Sequence, residues 1–150
     1  MVGLTGTRVI PAGWEERHRP VDESTMTALG RLVSPGPAGE FPDYTPAADQ
    51  LLAQNVPLRV QRLRETGRTD AQGDLADTRT YLVTMPIRYW PAGTRVTDTG
   101  PIVIVDGYKP GHGGDPDLVG RRLRVTSVQH GSLMWERPLE CVLDLSEEPQ

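Results

Sequence analysis

The segment TRTYLVTMPIRYW, residues 78–90, carries the clearest secondary-structure pattern in the sequence. Every second residue from Tyr81 to Tyr89 is apolar, and the residues between them form a second, mixed set. This period of two predicts a β-strand with different environments on its two faces. Pro86 has no N–H to donate to a neighbouring strand, so it places this strand at a sheet edge or at a break between two strands.

Further strand-like segments occur on both sides of residues 78–90. Val56, Leu58 and Val60 alternate with polar residues or proline, which is the pattern of a half-buried strand. Residues 102–105 are apolar on both faces, as in a strand that is buried on both sides. We predict the remaining strands at about residues 25–33, 122–129 and 135–145, the last two forming a hairpin.

The segments between these strands have the composition of turns and loops. Residues 34–46 are rich in proline and glycine, residues 65–77 are polar, and residues 109–120 form an irregular, glycine-rich stretch. The dipeptide Asp106-Gly107 predicts a tight turn. Residues 47–55 fit either one helical turn or the beginning of a strand, and the sequence leaves both open.

One short helix is predicted near the N-terminus. In PAGWEERH, residues 11–18, Pro11 suits the first helical position, and Pro20 is expected to end the helix by about Arg19. No helical crossovers are available to connect parallel strands. The chain is therefore predicted to be mainly β: a small antiparallel β-barrel or sandwich of about six to seven strands, with a short N-terminal helix and long loops.

Length and composition fit a single domain with short extensions. The chain has 150 residues, with 16 Gly and 14 Pro, a content that favours many short strands joined by turns. We divide it into an N-terminal arm with the short helix at 1–24, a β-barrel domain at 25–145 and an acidic tail at 146–150.

Several functional classes are disfavoured by simple counts. A net charge of −4 argues against a protein whose main task is to grip nucleic acid. No apolar run approaches the ~18 residues of a membrane span, and no secretory signal is expected at the N-terminus. The single cysteine, Cys141, excludes an internal disulfide and fits a reducing cytoplasm.

No catalytic pattern is present, so we predict that the protein is not an enzyme and holds no cofactor. The sequence has no G-x-S-x-G elbow, and its only lysine, Lys109, precedes Pro-Gly instead of ending a phosphate-binding loop. His112, Asp115 and Asp117 could meet one metal ion, but turn punctuation is the favoured interpretation of GHGGDPD. Cys141 alternates with leucines and is predicted to be a core residue.

The aromatic and arginine side chains favour a role in protein assembly over a role in catalysis. Trp14, Trp90 and Trp135 lie beside predicted loops or element ends. Tryptophan and arginine commonly anchor protein interfaces. The cluster Arg121, Arg122 and Arg124 fits either the solvated face of a strand or an anion contact, with the first interpretation favoured.

Four sequence segments in a fixed order give the chain a resemblance to a known family. They are IPAGWEERHRP at 10–20, LRVQRLR at 58–64, TRTYLVTMPI at 78–87, and DPDLVGRRLRVTSVQHGSLMWERPLECVLDL at 115–145. This series resembles the head-to-tail stopper, or head-closure, proteins of actinobacterial siphophages. The most specific parts are DP-x-L-x-G-R-x-x-R-V and G-S-x-x-W-E-R, and neither is a catalytic motif.

The resemblance implies a structural role in the virion neck after assembly in the host cytoplasm. Proteins of this family are small β-barrels that form a ring, typically of six subunits, below the portal and its adaptor ring. The ring closes the channel after DNA packaging and presents the surface on which the tail docks. The implied partners are further copies of the chain, the adaptor, the tail terminator or tail tube, and DNA that passes without sequence-specific binding. A tail terminator, an adaptor or a small β-barrel ligand-binding protein are the alternatives.

The same resemblance suggests where contacts and a gate would lie. Candidates for a partner interface are Trp14, Arg17, His18, Arg19, Trp90, Arg122 and Trp135. Loops 65–77 and 107–120 are both candidates for a lumen-facing gate, and 65–77 is preferred for its length and polarity. Within that loop the candidate residues are Arg68, Asp70, Gly73 and Asp74.

Overall fold

Six antiparallel strands close into a barrel in the computed structural model of this chain. The structure describes residues 12–37, 39–43, 45, 47–63, 80–131 and 135–143. The four gate candidates, Arg68, Asp70, Gly73 and Asp74, lie outside the described residues. So do residues 1–11 of the predicted arm and the acidic tail at 146–150.

One helix precedes the six strands. The elements are α1 (Trp14–Ser24), β1 (Ala28–Ser34), β2 (Gln50–Arg62), β3 (Thr80–Pro86), β4 (Ile102–Tyr108), β5 (Arg122–Val128) and β6 (Glu136–Leu143), with short 3-10 turns at Ile87–Tyr89 and Pro116–Leu118. Around the barrel the order is β1, β2, β3, β6, β5, β4, and every neighbouring pair is antiparallel. The predicted mainly β architecture is confirmed, as a barrel and not a sandwich.

Apolar side chains from every strand fill the barrel interior. Because side chains alternate between the two faces of a strand, each strand sends every second residue inward. The fully buried interior residues include Leu32, Leu58, Val83, Met85, Val103, Val105, Leu123, Val125, Leu139 and Cys141. Small barrels of this kind are packed solid instead of being open along their axis.

β2 is the longest strand, with 13 residues, and it serves two neighbours in turn. Its residues 50–58 pair with β1, whereas residues 59–62 pair with β3. The open interpretation of residues 47–55 is thus decided in favour of a strand from Gln50 onward. Register shifts between β1 and β2 around Leu32, together with a positive φ of 52° at Asn55, mark a β-bulge in this pairing.

The chain leaves the sheet at the end of β3. Pro86 is the last residue of β3, so the predicted break is correct, but a 3-10 turn follows it and not a second strand. The Ile87 N–H donates to the Trp135 carbonyl oxygen at 2.9 Å, which directs the chain towards β6. Trp90 then packs into the barrel core with 8% of its surface exposed.

The helix is longer than its sequence predicts. Pro20 lies inside α1, and the helix continues to Ser24 instead of ending by Arg19. A proline in a helix interior removes one backbone hydrogen bond, so something else must hold the last turn. Asp22 and Glu23, both in that turn, form ion pairs with the barrel, and these contacts outweigh the local preference to stop. None of the described helices is long and apolar enough to cross a membrane.

The prediction of a tight turn at Asp106-Gly107 is wrong. Both residues belong to β4, and Gly107 pairs with Leu29 of β1. The ladder between β1 and β4 extends as far as Tyr108, with a register shift that leaves Asp106 between the pairs Leu29–Gly107 and Gly30–Val105. The strand therefore passes through a β-bulge where the sequence predicts a turn. The chain turns just afterwards, where the His112 N–H donates to the Lys109 carbonyl oxygen at 3.0 Å.

The loop between β1 and β2 is tied to the outer wall of the barrel. Val33, Ile102 and Ile104 form a second, small buried cluster outside the interior, which explains why residues 102–105 are apolar on both faces. Arg122 pairs in register with Ile104 and forms an ion pair with Asp49 of the loop, with a separation of 3.2 Å. The loop is thereby held beside this cluster.

Candidate functional site

Charged side chains tie α1 to the outside of the barrel. Arg59 of β2 lies 3.7 Å from Asp22, measured from Nη1 to Oδ1. Arg88, in the 3-10 turn after β3, donates from both terminal nitrogens to the Glu23 carboxylate, one of them at 3.0 Å. The last turn of the helix is therefore attached mainly by ionic contacts.

Arg59 is the centre of this junction. It alternates with Leu58 and Val60, whose side chains pack into or against the core, so its own side chain points outward. Its Nη1 donates to Thr25 Oγ1 at 2.6 Å, and its Nη2 donates to Glu136 Oε2 at 3.4 Å. One guanidinium thus links the end of α1 to β6, with 27% of its side chain exposed.

Two carboxyl groups, those of Asp22 and Glu136, share this single guanidinium. Burial, and then the neighbouring Asp22 carboxyl, raise the pKa of Glu136 above its usual value, although Arg59 works in the opposite direction. Asp22 Oδ2 is buried without a hydrogen-bond donor in the described part of the chain. By contrast, the hydrogen bond from Arg88 lowers the pKa of Glu23. Of the three acids at the junction, Glu23 thus has a guanidinium to itself, whereas Asp22 and Glu136 share one.

An aromatic cluster holds the other end of α1. The Trp14 and His18 rings stack with centroids 4.2 Å apart, and the Trp14 and Trp135 rings lie 4.8 Å apart at an interplanar angle of 60°. His18 Nδ1 lies 2.7 Å from the Trp14 carbonyl oxygen, which can only accept, so Nδ1 carries the hydrogen. Three of the predicted interface candidates thus meet in one place: Trp14 and His18 from one turn of α1, and Trp135 from the distant start of β6.

The remaining interface candidates lie elsewhere. Trp90 is a core residue, so its packing inside the barrel replaces the predicted role as an exposed anchor. Arg122 is engaged with Asp49 of the chain's own loop. Arg17 is exposed on α1, and Arg19 is partly buried on the same helix.

A polar cleft of about 370 Å³ lies at the end of the barrel where β2 finishes and β3 begins. Its lining includes Arg62, Tyr81, Asp115, Asp117 and Arg121. The Asp115 carboxylate accepts a hydrogen bond from the Asp117 N–H at 3.0 Å, and so caps the short 3-10 turn that follows. This is the turn role that the sequence favours for GHGGDPD. Within the described residues, no group of three His, Cys, Asp or Glu side chains could hold a metal ion.

Comparison with known proteins places the chain in a family. A family model described as "Family of unknown function (DUF6093)" matches residues 18–142. The chain belongs to this family. The DUF6093 match begins inside α1 and ends inside β6, so it contains β1 to β5 complete. No curated protein and no solved structure matches the chain.

Within the DUF6093 region, the sequence could not have identified the ionic junction. Asp22, Arg59, Arg88 and Glu136 are ordinary surface residue types, and no motif joins them. The alternation of β2 places Arg59 on the outward face of the strand, but it gives no sign of which residues Arg59 contacts. The barrel pairing of β2 with β3, and of β3 with β6, is what brings Arg59 and Glu136 together.

The one cysteine of the DUF6093 chain is predicted to be unreactive while the barrel is folded. Cys141 has no exposed surface, and burial raises the pKa of its thiol to about 12. Because the thiolate is the reactive form, iodoacetamide should label Cys141 only after unfolding. Mass spectrometry with and without urea measures this. Equal labelling of the native and the unfolded protein at neutral pH would contradict the buried position.

Proposed function

We propose that this DUF6093 protein is a head-to-tail stopper of a siphophage neck. In this role, copies of the chain form a ring that closes the portal and adaptor channel after DNA packaging and offers the tail its docking surface. The observation that carries the proposal is the closed six-stranded antiparallel barrel with a helix fastened to its outer wall. It is the architecture that the resemblance in residues 10–145 implies.

The chemistry of the described residues supports a structural role. The arginines at the junction and on the outer wall make internal ion pairs, to Asp22, Glu23 and Asp49. The buried thiol of Cys141 is in the wrong protonation state for a nucleophile. These groups contribute to holding the subunit together.

The charge of the chain fits a channel that DNA traverses. A net charge of −4 gives a mildly acidic surface, which repels phosphates and favours passage over binding. In the proposed neck, protein contacts come from other copies and from the adaptor and tail proteins. The exposed side of α1, with Arg17, His18 and Val21, is available for such contacts.

Removal of this protein should uncouple DNA packaging from completion of the particle. In the phage or prophage that encodes the chain, a nonsense mutation in its gene is expected to yield capsids that lose their DNA and tails that remain unattached. The physical reason is that nothing then blocks the channel against the internal pressure of the packaged genome. Electron microscopy of the lysate, with complementation by the intact gene as the control, measures this outcome.

Imaging of the neck gives the positional test. Cryo-electron microscopy of intact virions should show a ring of these barrels between the adaptor and the first tail ring. The absence of the chain from mature particles would overturn the proposal. Density for the chain at the adaptor or tail-terminator level would instead favour one of those two components.

A further inference from the structure

In the described part of the chain, one side of β2 has no partner strand over its first residues. Residues 50–54 of β2 pair with β1 on one side only, because β3 pairs with β2 only over residues 59–62. After Pro86 the chain turns away from β2, and the Ile87 N–H bonds to Trp135. In the described part of the chain, no second strand bonds to residues 50–54.

This edge lacks the protection that solitary edges normally have. An open strand edge offers a row of N–H and C=O groups, and proteins usually guard it with charged residues or proline. The edge reads QLLAQ, without either, in a chain that is 24% charged. Gln50, Leu51 and Gln54 are exposed, and half of the Leu51 surface is accessible. The register shifts against β1 between residues 51 and 56 bulge and twist this stretch, which is another way of guarding an edge, but no second strand of the described chain covers its outer N–H and C=O groups.

We propose that this edge receives an extended strand from the N-terminal arm, residues 1–11, of a neighbouring copy. Addition of a strand to an exposed sheet edge is a common mode of recognition, with main-chain hydrogen bonds providing the contact. The choice of a neighbouring copy rests on the proposed ring, since a donor segment on one subunit and an acceptor on the next form the head-to-tail contact that rings require.

The composition of the arm fits this role. β-branched side chains favour strands, and the arm contains Val2, Thr5, Thr7, Val9 and Ile10. The residues that would pair precede Pro11, which has no N–H to contribute. The arm carries no acidic residue and a single basic one, Arg8, so no like charges oppose its docking on an uncharged edge.

The arm also begins in a suitable place. Trp14, at the start of α1, packs on Trp135, whose carbonyl oxygen accepts from Ile87 just after β3. Since β3 runs antiparallel to β2, with Thr84 opposite Arg59, its end lies towards the beginning of β2. The arm and the open edge therefore belong to the same end of the barrel. Ten extended residues reach at most about 35 Å, about twice the length of a five-residue edge. This length allows the arm to cross to another subunit.

Disulfide trapping between two separately substituted full-length chains tests the exchange. One chain carries Thr5→Cys, Thr7→Cys or Val9→Cys, and the other carries Gln54→Cys and a mass tag. The native Cys141 is fully buried and does not compete. The matched control replaces Gln54→Cys with Val119→Cys, which is exposed and follows Leu118 of the cleft at the opposite end of β2. The two chains are mixed at about millimolar concentration, comparable with the effective concentration of a tethered partner, and oxidised mildly.

We expect a mixed dimer for at least one arm position, forming about tenfold faster than with the Val119 control, because the bound arm holds the two thiols close together. No mixed dimer above the control, with both chains folded by circular dichroism, overturns the proposal. So does an intramolecular disulfide in a chain carrying both substitutions without any mixed dimer, and so does a Gln54→Cys homodimer alone. Failure of the neck assignment would leave a positive trapping result intact, so the two outcomes are distinguishable.

Discussion

Gly30→Ala is expected to destabilise the barrel by about 1–3 kcal/mol, as overpacking of a tight core does. Gly30 lies in β1 where this strand pairs with both β2 and β4. A Cβ atom at this position would collide with the Ile104 carbonyl oxygen and with Leu58 Cδ1. A backbone oxygen in a closed barrel has little room to move, and the Leu58 side chain is itself almost fully buried. The change should therefore lower the urea midpoint of unfolding without changing its slope.

Gly107→Ala provides a matched control for this experiment. Gly107 also lies in a strand of the same barrel, but a Cβ atom there would meet nothing within 4 Å. Its replacement is expected to change the free energy of unfolding by less than about 0.5 kcal/mol, as surface substitutions usually do. Equal urea midpoints for the Gly30 and Gly107 variants would show that β1 and β4 are not packed as described.

Arg59→Met is expected to lower the free energy of unfolding by about 1–2 kcal/mol at neutral pH. This loss is smaller than that from breaking a fully buried ion pair, because the junction is partly exposed to solvent. Methionine keeps the aliphatic length of the side chain but removes the only guanidinium between Asp22 and Glu136. Two carboxylates would then face each other with one oxygen already lacking a donor. Thermal or urea unfolding of the variant and the natural chain, measured across pH, quantifies the loss.

The stability loss of Arg59→Met should depend on pH, in a direction set by the pKa of Glu136. A carboxyl whose pKa is higher in the folded protein than in the unfolded chain stabilises the fold at low pH, and this contribution is lost as the pH rises through the folded pKa. Glu136 is such a group. The deficit of Arg59→Met should therefore shrink as the pH falls from 7 towards the ordinary carboxyl pKa of about 4.5.

A double variant separates repulsion from lost packing at the junction. Arg59→Met combined with Glu136→Gln should recover most of the lost stability at pH 7, because a neutral amide can donate to Asp22 and no longer repels it. Glu23 also titrates in acid, in the opposite direction because Arg88 lowers its pKa, but this contribution is common to both proteins and cancels in their difference. A deficit that is equal at pH 4.5 and pH 7, or is not relieved in the double variant, would contradict the assigned role of Arg59.

The strands could be predicted because their pattern is local. Alternation in Val56, Leu58 and Val60 and the double-sided apolar character of residues 102–105 reflect burial that each strand carries in its own sequence. Cys141 could be assigned to the core for the same reason. Residues that usually end a helix or form a turn were less informative. Pro20 did not end α1, and Asp106-Gly107 did not form a turn. In both places, contacts with other elements outweighed the local preference.

The junction could not be predicted because it depends on strand order. Arg59 meets Glu136 only because β3 pairs with β2 on one side and β6 on the other, and residue spacing does not encode that arrangement. Likewise, three tryptophans look equivalent in sequence, yet Trp90 fills the core while Trp14 and Trp135 pack against each other outside it. Side-chain type suggested interface residues without distinguishing internal from external partners.

The filled interior of the barrel determines where a genome could travel. The interior is packed with buried side chains, among them Leu32, Met85 and Leu139, so DNA does not pass along the axis of a single subunit. In the proposed neck the bore belongs to the circle of subunits and not to any one of them. Its diameter would follow from how many copies close the circle, and mutations inside the barrel would affect stability while leaving the width of that opening unchanged.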